Sequence, residues 1–555
     1  MATYEIKDGV GIIPEGTTYV KMEAFSNSEE LTSVVIPNSV NEIGNRAFEG
    51  CINLTNIVIP SSVIEIGFNA FAGCTSMTSI VIPSSVTRIG SEAFNGVKSM
   101  VVEEGNKVYD SRNNCNAIIE TASNKLIAGC GNTIIPDSVT EIGFNAFAGC
   151  KDLTAIVIPA SVKEIKDNAF QGCSALTGIV IPDMVTEICR EVFKGCKSLK
   201  SIVIPDSVTA IGWHAFNGCS GLENIKVSDG NKTFDSRNNC NAIIETATNV
   251  LIRGCKSTVI PDSVAEIGEY AFDGISDLTS IMIPDSVTRI NDDAFLDCIG
   301  LKNITIPVSV TEIGYSAFAG CTGFSSIVIP EKVTEINSFI FDRCSGLTSI
   351  KVSETNKTYD SRNNYNAIIE TATNKLIAGC RNTIIPDSVT EIGQNAFYGC
   401  TSLSTISIPD SVTMINNQAF QDCTDLTTIN ISNSVTRIGH KAFYGCQKLT
   451  DVVIPDSVLI INDGAFEGCT SLKSIVIPDL VIDLEYSPFT GCNKLECVTF
   501  PKAVKKIDPL IFEGCTALKT INVPAKRADY YKKRLPEELH SLIVELPAEK
   551  KAKKK

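Results

Sequence analysis

The sequence predicts a repeat solenoid, a stack of 23-residue coils with parallel β strands and short 3₁₀-like or helical corners. Three observations predict it. Proline recurs at 14, 37, 60 and 83, at 136, 159, 182 and 205, at 261, 284, 307 and 330, at 386 and 409, and at 455, 478, 501 and 524. Ser432 fills the one gap, and within each run the step is 23 residues. Phenylalanine stands eleven residues into every coil, from Phe25 and Phe48 to Phe466 and Phe512, which takes 18 of the 24 in the chain. Fifteen of the 22 cysteines occupy a single further slot. A fixed period of this size is the mark of a solenoid, which grows by adding coils and not by enlarging one core. The 555 residues therefore do not imply several globular domains.

Taken in order, residues 1–13 are expected to cap the first coil. Residues 14–524 form the solenoid, with 18 short units reading approximately I-P-D-S-V-T-E-I-G-x-x-A-F-x-G-C-x-x-L-T-S-I-V. Longer units fall near 104–135, 229–260 and 354–385. Residues 525–547 cap the far end, as a short helix, a break at Pro536 and a second short element. Residues 548–555 are a Lys-rich tail expected to be disordered.

Within a coil, L-T-N-I-V-I (Leu54 to Ile59) reads as a strand ended by Pro60. Leu54, Ile57 and Ile59 point inward, and Asn56 and Val58 outward. S-V-T-E-I is a second extended segment with Val and Ile inside. A-F-x-G-C is a tight corner closed by Gly. Stacking places equivalent side chains over one another about 4.8 Å apart, so the invariant Phe forms a buried spine and Ile43, Ile66, Ile89 and Ile142 a second buried column.

The long units are near copies: NKVYDSRNNCNAIIETASNKLIAGC (106–130), NKTFDSRNNCNAIIETATNVLIRGC (231–255) and NKTYDSRNNYNAIIETATNKLIAGC (356–380). A-I-I-E and K-L-I-A, joined by T-A-S-N or T-A-T-N, predict a β-hairpin. The D-S-R-N-N loop before it has two readings. It is a contact site presented three times, carried by Asp110, Arg112 and Asn113, by Asp235, Arg237 and Asn238, and by Asp360, Arg362 and Asn363. Or it is a copied structural loop, with Asp and Asn as turn formers and Arg pinning it to a neighbour.

The cysteine slot also holds Ser28, Val97 and Ile275, so it reads as a small apolar filler and the ladder as buried, reduced thiols. No C-x-x-C occurs, and His214, His440 and His540 are isolated, which argues against zinc. No metal and no cofactor is expected. The net charge of −15 disfavours nucleic acid and simple attachment to anionic lipid. No apolar run is long enough to cross a membrane, so membrane insertion is not expected. MATYEIKDGV is not a signal peptide, so the reading is a cytoplasmic protein if that N-terminus is native and a trimmed leader otherwise.

Two surface columns stand out. The outward strand position carries Val58, Val81, Val157, Val180 and Val203, mixed elsewhere with Lys226, Thr305, Lys351, Ser407 and Asn430. Beside Ser33, Ser79 and Ser201 it makes a long, flat Ser/Thr/Val face, suited to extended protein contact more than to small-molecule capture. Strand propensity alone also accounts for Val there. Five residues after each Pro lies an acidic column, including Glu42, Glu65, Glu141 and Glu164, interrupted by Arg88, Arg289 and Arg437 to relieve repulsion.

The unit I-P-D-S-V-T-E-I-G-x-x-A-F-x-G-C-x-x-L-T-S-I resembles the BspA-like (Treponema pallidum-type) leucine-rich repeat family, over roughly residues 10–525. The resemblance implies a right-handed leucine-rich-repeat solenoid. It also implies a cell-surface or secreted location and a protein partner, either a host matrix protein or another cell's surface. No P-loop, G-x-S-x-G, H-E-x-x-H or dinucleotide fingerprint is present, so an enzyme is not expected. The leading reading is a non-catalytic binding or adhesion scaffold. The alternative is a structural, self-assembling repeat protein with no external ligand.

Overall fold

The computed structural model describes residues 4–362, 364–484, 487–502 and 504–547. The chain forms two compact units, residues 1–261 and 262–555. Each is a β-solenoid of about 23-residue coils, and each coil gives one short strand to each of two parallel ladders.

In the first unit one ladder holds strands such as Ser33–Val35, Asn56–Ile57, Ile80–Ile82 and Ser201–Ile204. The other holds the E-I pairs Glu42–Ile43, Glu65–Ile66 and Arg88–Ile89. Register is set by the repeat: Glu42 lies beside Glu65 and Glu65 beside Arg88. The turn between the ladders closes with Val40 N–H donating to Pro37 O at 3.0 Å. The serine before that valine also bonds the coil below, since Ser39 Oγ donates to Thr17 O and Ser62 Oγ to Val40 O, at 2.8 and 2.6 Å. Proline and serine are thus fixed by the turn itself.

The corner is a chain of turns closed by bonds of the 3₁₀ kind, such as Ala47 N–H to Gly44 O and Cys51 N–H to Phe48 O, both 3.2 Å. Alternate N–H groups bond the next coil instead: Phe48 to Ala70 O and Gly50 to Ala72 O, each 2.8 Å. That alternation needs a left-handed residue two places before Phe, as at Arg46 (φ 56°), Asn69 (φ 55°) and Asn145 (φ 56°). The corner is therefore a third stacked column with its own backbone bonds.

The Phe spine is dry. Its members are 0–7% exposed. Neighbouring rings lie 5.1–5.9 Å apart and 5–17° from parallel in the first unit. In the second unit the ranges are 4.9–6.4 Å and 2–23°. Spacings wider than the strand separation mean offset stacks, the favoured arrangement of like-oriented rings.

The cysteine slot is more than filler. In most coils the thiol donates to the carbonyl of the Phe 26 residues earlier, as from Cys51 to Phe25, Cys173 to Phe147 and Cys446 to Phe420, at 3.0–3.2 Å. Twenty of the 22 cysteines are buried and none is disulfide-bonded. Burial pushes the Cys51 thiol up to about 11 and the Cys469 thiol up to about 12. Such thiols are poor nucleophiles.

At its start the first unit has a hairpin, Glu5–Lys7 against Val10–Ile12, and Tyr4 lies 5.6 Å from the Phe25 ring. The second unit ends in a helix, Ala528–Lys532, a 3₁₀ helix, Glu537–Leu542, and a strand, Ile543–Glu545, parallel to Thr520–Val523. Tyr531 is fully buried there and donates to Pro501 O at 2.5 Å. The Lys-rich tail, 548–555, lies outside the described residues.

Candidate functional site

The outward column and the D-S-R-N-N loops are neighbours in space. Val58, Val81, Val157, Val180 and Val203 are 48–83% exposed, against at most 8% for the inward Ile57, Ile156 and Ile179 of the same strands. Rungs Ala155, Gly178 and Ser201 bridge in register, which puts Val157, Val180 and Val203 in line. The next rung continues the column by pairing Val203 with Lys226. In the second unit Val328 pairs with Lys351 in the same way.

Each loop stands at the end of such a strand because its serine holds it there. Val102 N–H donates to Ser111 Oγ (3.0 Å), Val227 N–H to Ser236 Oγ (2.9 Å) and Val352 N–H to Ser361 Oγ (2.8 Å). The same hydroxyls donate back to Ala117, Ala242 and Ala367 O, at 2.7–2.9 Å. A second anchor is the asparagine that opens each long unit. Asn106 Nδ2 donates to Pro83 O and Val86 O, and its Oδ1 accepts from Val108 and Tyr109 N–H, all at 2.9 Å. The sequence reading passed over both anchors. Their recurrence at 106, 231 and 356 and at 111, 236 and 361 was the available signal.

The loop's charges face each other. Arg112 Nε and Nη2 donate to Asp110 at 2.7 and 2.5 Å, and Nη1 reaches Asn124 Oδ1 at 2.8 Å and Ser138 Oγ at 3.2 Å. Arg237 repeats the fork on Asp235 (2.8 and 2.6 Å) and bonds Asn249 Oδ1 at 2.7 Å. Arg362 bonds Asp360 at 3.0 and 3.2 Å, Asn374 at 2.7 Å, and Ser388. Burial opposes ionisation of Asp110, but the hydrogen bonds from Arg112 outweigh it and hold the carboxyl below the usual carboxylate range. The geometry favours arginine as a pin joining loop, hairpin turn and following coil.

Asn113 and Asn238 are exposed and left-handed, at φ 59° and 60°, a conformation asparagine tolerates well. Asn363 lies outside the described residues. Around the second loop a cleft of about 310 Å³ is lined by Lys226, Ser228, Asp229, Arg237 and Asn238, so strand face and loop share one surface. The face is not flat throughout. In the second unit a trough of about 780 Å³ is lined by Ile384, Thr405, Ser407, Thr428, Asn430 and Val453.

The acidic column is relieved as its spacing implied. Arg88 pairs with Glu65, Arg289 with Glu312 (2.5 Å), and the hairpin lysines Lys125 and Lys375 with Glu141 and Glu391 (2.9 and 3.1 Å). Among the described residues no group of three or more His, Cys, Asp or Glu side chains is placed to hold a metal ion, and no helix is long and apolar enough to cross a membrane.

Parallel ladders, a stacked aromatic spine and hydrogen-bonded corners define a leucine-rich-repeat scaffold. The chain belongs to the BspA type leucine-rich repeat family, whose six-copy model matches residues 11–117, 125–243, 253–370, 375–458 and 436–534. It is similar to the solved structure of a leucine-rich cell surface protein from Faecalibacterium prausnitzii, at 25% identity over 77% of this chain and 95% of that one, with a TM-score of 0.41. It is also similar to a leucine-rich repeat protein from Bacteroides ovatus, at 27% identity over 79% and 98% of the two chains, with a TM-score of 0.31. No curated protein matches the sequence.

Proposed function

We propose that the protein is a non-catalytic binding scaffold whose outward strand column receives a protein partner across several coils. The observation that supports this reading is the run of solvent-facing valines on consecutive rungs, Val157, Val180 and Val203. Apolar side chains gathered on one face mark association surfaces, and Lys226 and Lys351 show that the same strand position also accepts a charged residue. A standard interface takes roughly 800 Å² from each partner, and a stack of short strands supplies that area only if many rungs act together. The partner implied by the family resemblance is a host matrix protein or another cell's surface. The loops join this surface through Asn113 and Asn238, since Asp110, Arg112, Asp235 and Arg237 are engaged within the fold.

The test is a full-length variant carrying Val157→Lys, Val180→Lys and Val203→Lys, applied to immobilised host matrix proteins and to whole cells of other bacteria. Exposed substitutions of this kind shift stability by only about 0.5 kcal/mol each, so an unchanged unfolding midpoint with lost capture supports the reading. Capture equal to wild type returns the column to strand propensity. Asn113→Gly with Asn238→Gly keeps the left-handed backbone and removes the amides, and undiminished capture by that variant makes the loops scaffold. Concentration-dependent light scattering that the triple substitution abolishes would replace an external partner with self-association.

A further inference from the structure

The corner before the third hairpin departs from its counterpart before the first. There the chain reads Ser91-Glu92-Ala93-Phe94-Asn95-Gly96; here it reads Ser338-Phe339-Ile340-Phe341-Asp342-Arg343. Ile340 replaces the small alanine. Arg343 replaces glycine yet keeps the left-handed backbone, at φ 58°, and Phe339 takes φ 66°. Room for the larger corner comes from Gly399, where a Cβ would stand 2.8 Å from Arg343 Cγ. The two corners still bond directly, with Arg343 N–H on Tyr398 O at 3.2 Å and Ser402 Oγ on Ser345 O at 2.8 Å.

They do not close completely over the hairpin. A small cavity of about 20 Å³ remains, lined by Phe341, Asp342, Gly379, Asn395 and Tyr398 among others. At the first hairpin Asn145 Nδ2 donates to Ser91 Oγ at 3.2 Å. The matching Asn395 is 5% exposed, and neither atom of its amide has a hydrogen-bond partner among the described residues. A buried amide left that way is costly, because it has given up its hydrogen bonds to water. Asp342, 7% exposed, faces the same space.

We propose that this cavity holds one ordered water molecule, shared between the Asn395 amide and the Asp342 carboxyl, and that this wet joint contributes less to stability as the pH rises from acid to neutral. The space suffices for one water, which needs roughly 10–15 Å³ by this measure and two or more polar partners. Asn395 supplies a donor and an acceptor, and Asp342 a third group. Burial pushes the Asp342 carboxyl up to about 8 against the pull of Arg343. The Arg343 guanidinium is itself turned to Asp297, at 3.3 Å. The other titratable groups around Asp342 are the Cys344 and Cys400 thiols and the Tyr398 hydroxyl, with Asp422 beyond the tyrosine. The hairpin strand contributes Ile377, Ala378 and Gly379, none of which is charged. Among the described residues no group of three or more His, Cys, Asp or Glu side chains is placed to hold a metal ion, so water is the occupant that fits.

An unfolded aspartate titrates near about 4. Between that value and about 8 the folded chain binds the proton that the unfolded chain has lost. Stability therefore falls as pH rises through this window, is fully present below it and levels off above it. The experiment compares the full chain with Asp342→Asn, reading thermal midpoints from pH 5 to pH 9. The expected result is a wild-type midpoint that drops by several degrees relative to the variant as pH rises; parallel curves overturn the proposal. If the variant does not fold, the infrared band of a protonated carboxylic acid in wild type decides: present at pH 6 and lost by pH 9 supports the idea, absent at pH 6 overturns it. A crystal structure at pH 6 should show one water within hydrogen-bond reach of both side chains. An empty cavity, or Asn395 bonded to protein, overturns the proposal.

Discussion

An ordinary coil and a hairpin-bearing unit close the same core by different means. In coil 159–181 the work is done by repetition. Phe170 lies between Phe147 and Phe193, and Cys173 bonds the Phe147 carbonyl. In the long unit 106–130 no spine phenylalanine is present, and Gly129 takes its level. A Cβ there would fall 2.1 Å from the Phe147 ring, so only glycine lets the next coil's aromatic settle onto the hairpin. Cys150 accordingly bonds Gly129 O, at 3.5 Å, in place of a phenylalanine carbonyl. What holds the hairpin is polar: Asn106 on the coil below, Ser111 on the strand end, and Arg112 between loop, turn and following coil. Apolar columns tolerate exchange of like for like, whereas a network with fixed donors and acceptors does not.

The largest test of this contrast is Phe170→Ala. It opens a cavity in the middle of a stack and should cost roughly 3–5 kcal/mol, read as a lower denaturant midpoint, with faster hydrogen exchange in the coils on either side. A cost below about 1 kcal/mol would mean that the spine is not what closes the coils. Arg112→Met comes next. It removes the guanidinium donors from the part-buried Asp110 carboxylate and from Asn124 Oδ1 and should cost roughly 1–3 kcal/mol, with exchange rising in strands Ile118–Glu120 and Lys125–Ala128 and little change in the ordinary coils. Uniform loosening of all coils would erase the distinction drawn here. The smallest effect should come from Cys173→Val. The slot accepts Val97 and Ile275 elsewhere, and the lost thiol bond should cost no more than about 1 kcal/mol. A larger loss would make the thiol-to-carbonyl column a principal support.

Much of the fold was legible because solenoid periodicity is local. Alternation in L-T-N-I-V-I told Ile57 from Val58, and both lie where their pattern put them, one buried and one exposed. The Asp, Arg and Asn of the loops were legible as a unit, yet whether Arg112 faces outward or inward was not, since its partners Asn124 and Ser138 lie 12 and 26 residues away.

The sequence by itself determined the 23-residue coil, the Phe spine, the existence of three hairpins and most of the Ile column, in which Ile43, Ile66 and Ile142 are buried but Ile89, in the coil before the first hairpin, is only part-buried, because each follows from a side chain's position within its own coil. Tertiary structure alone decided what passes between coils: the thiol bonds to carbonyls 26 residues back, the left-handed corner that lets alternate N–H groups reach the next coil, and the inward fork of Arg112 on a hairpin it also pins. The physical reason is that a hydrogen bond needs a donor and an acceptor brought together in distance and direction. A repeat period states which residues stack but not how each is turned toward its neighbour.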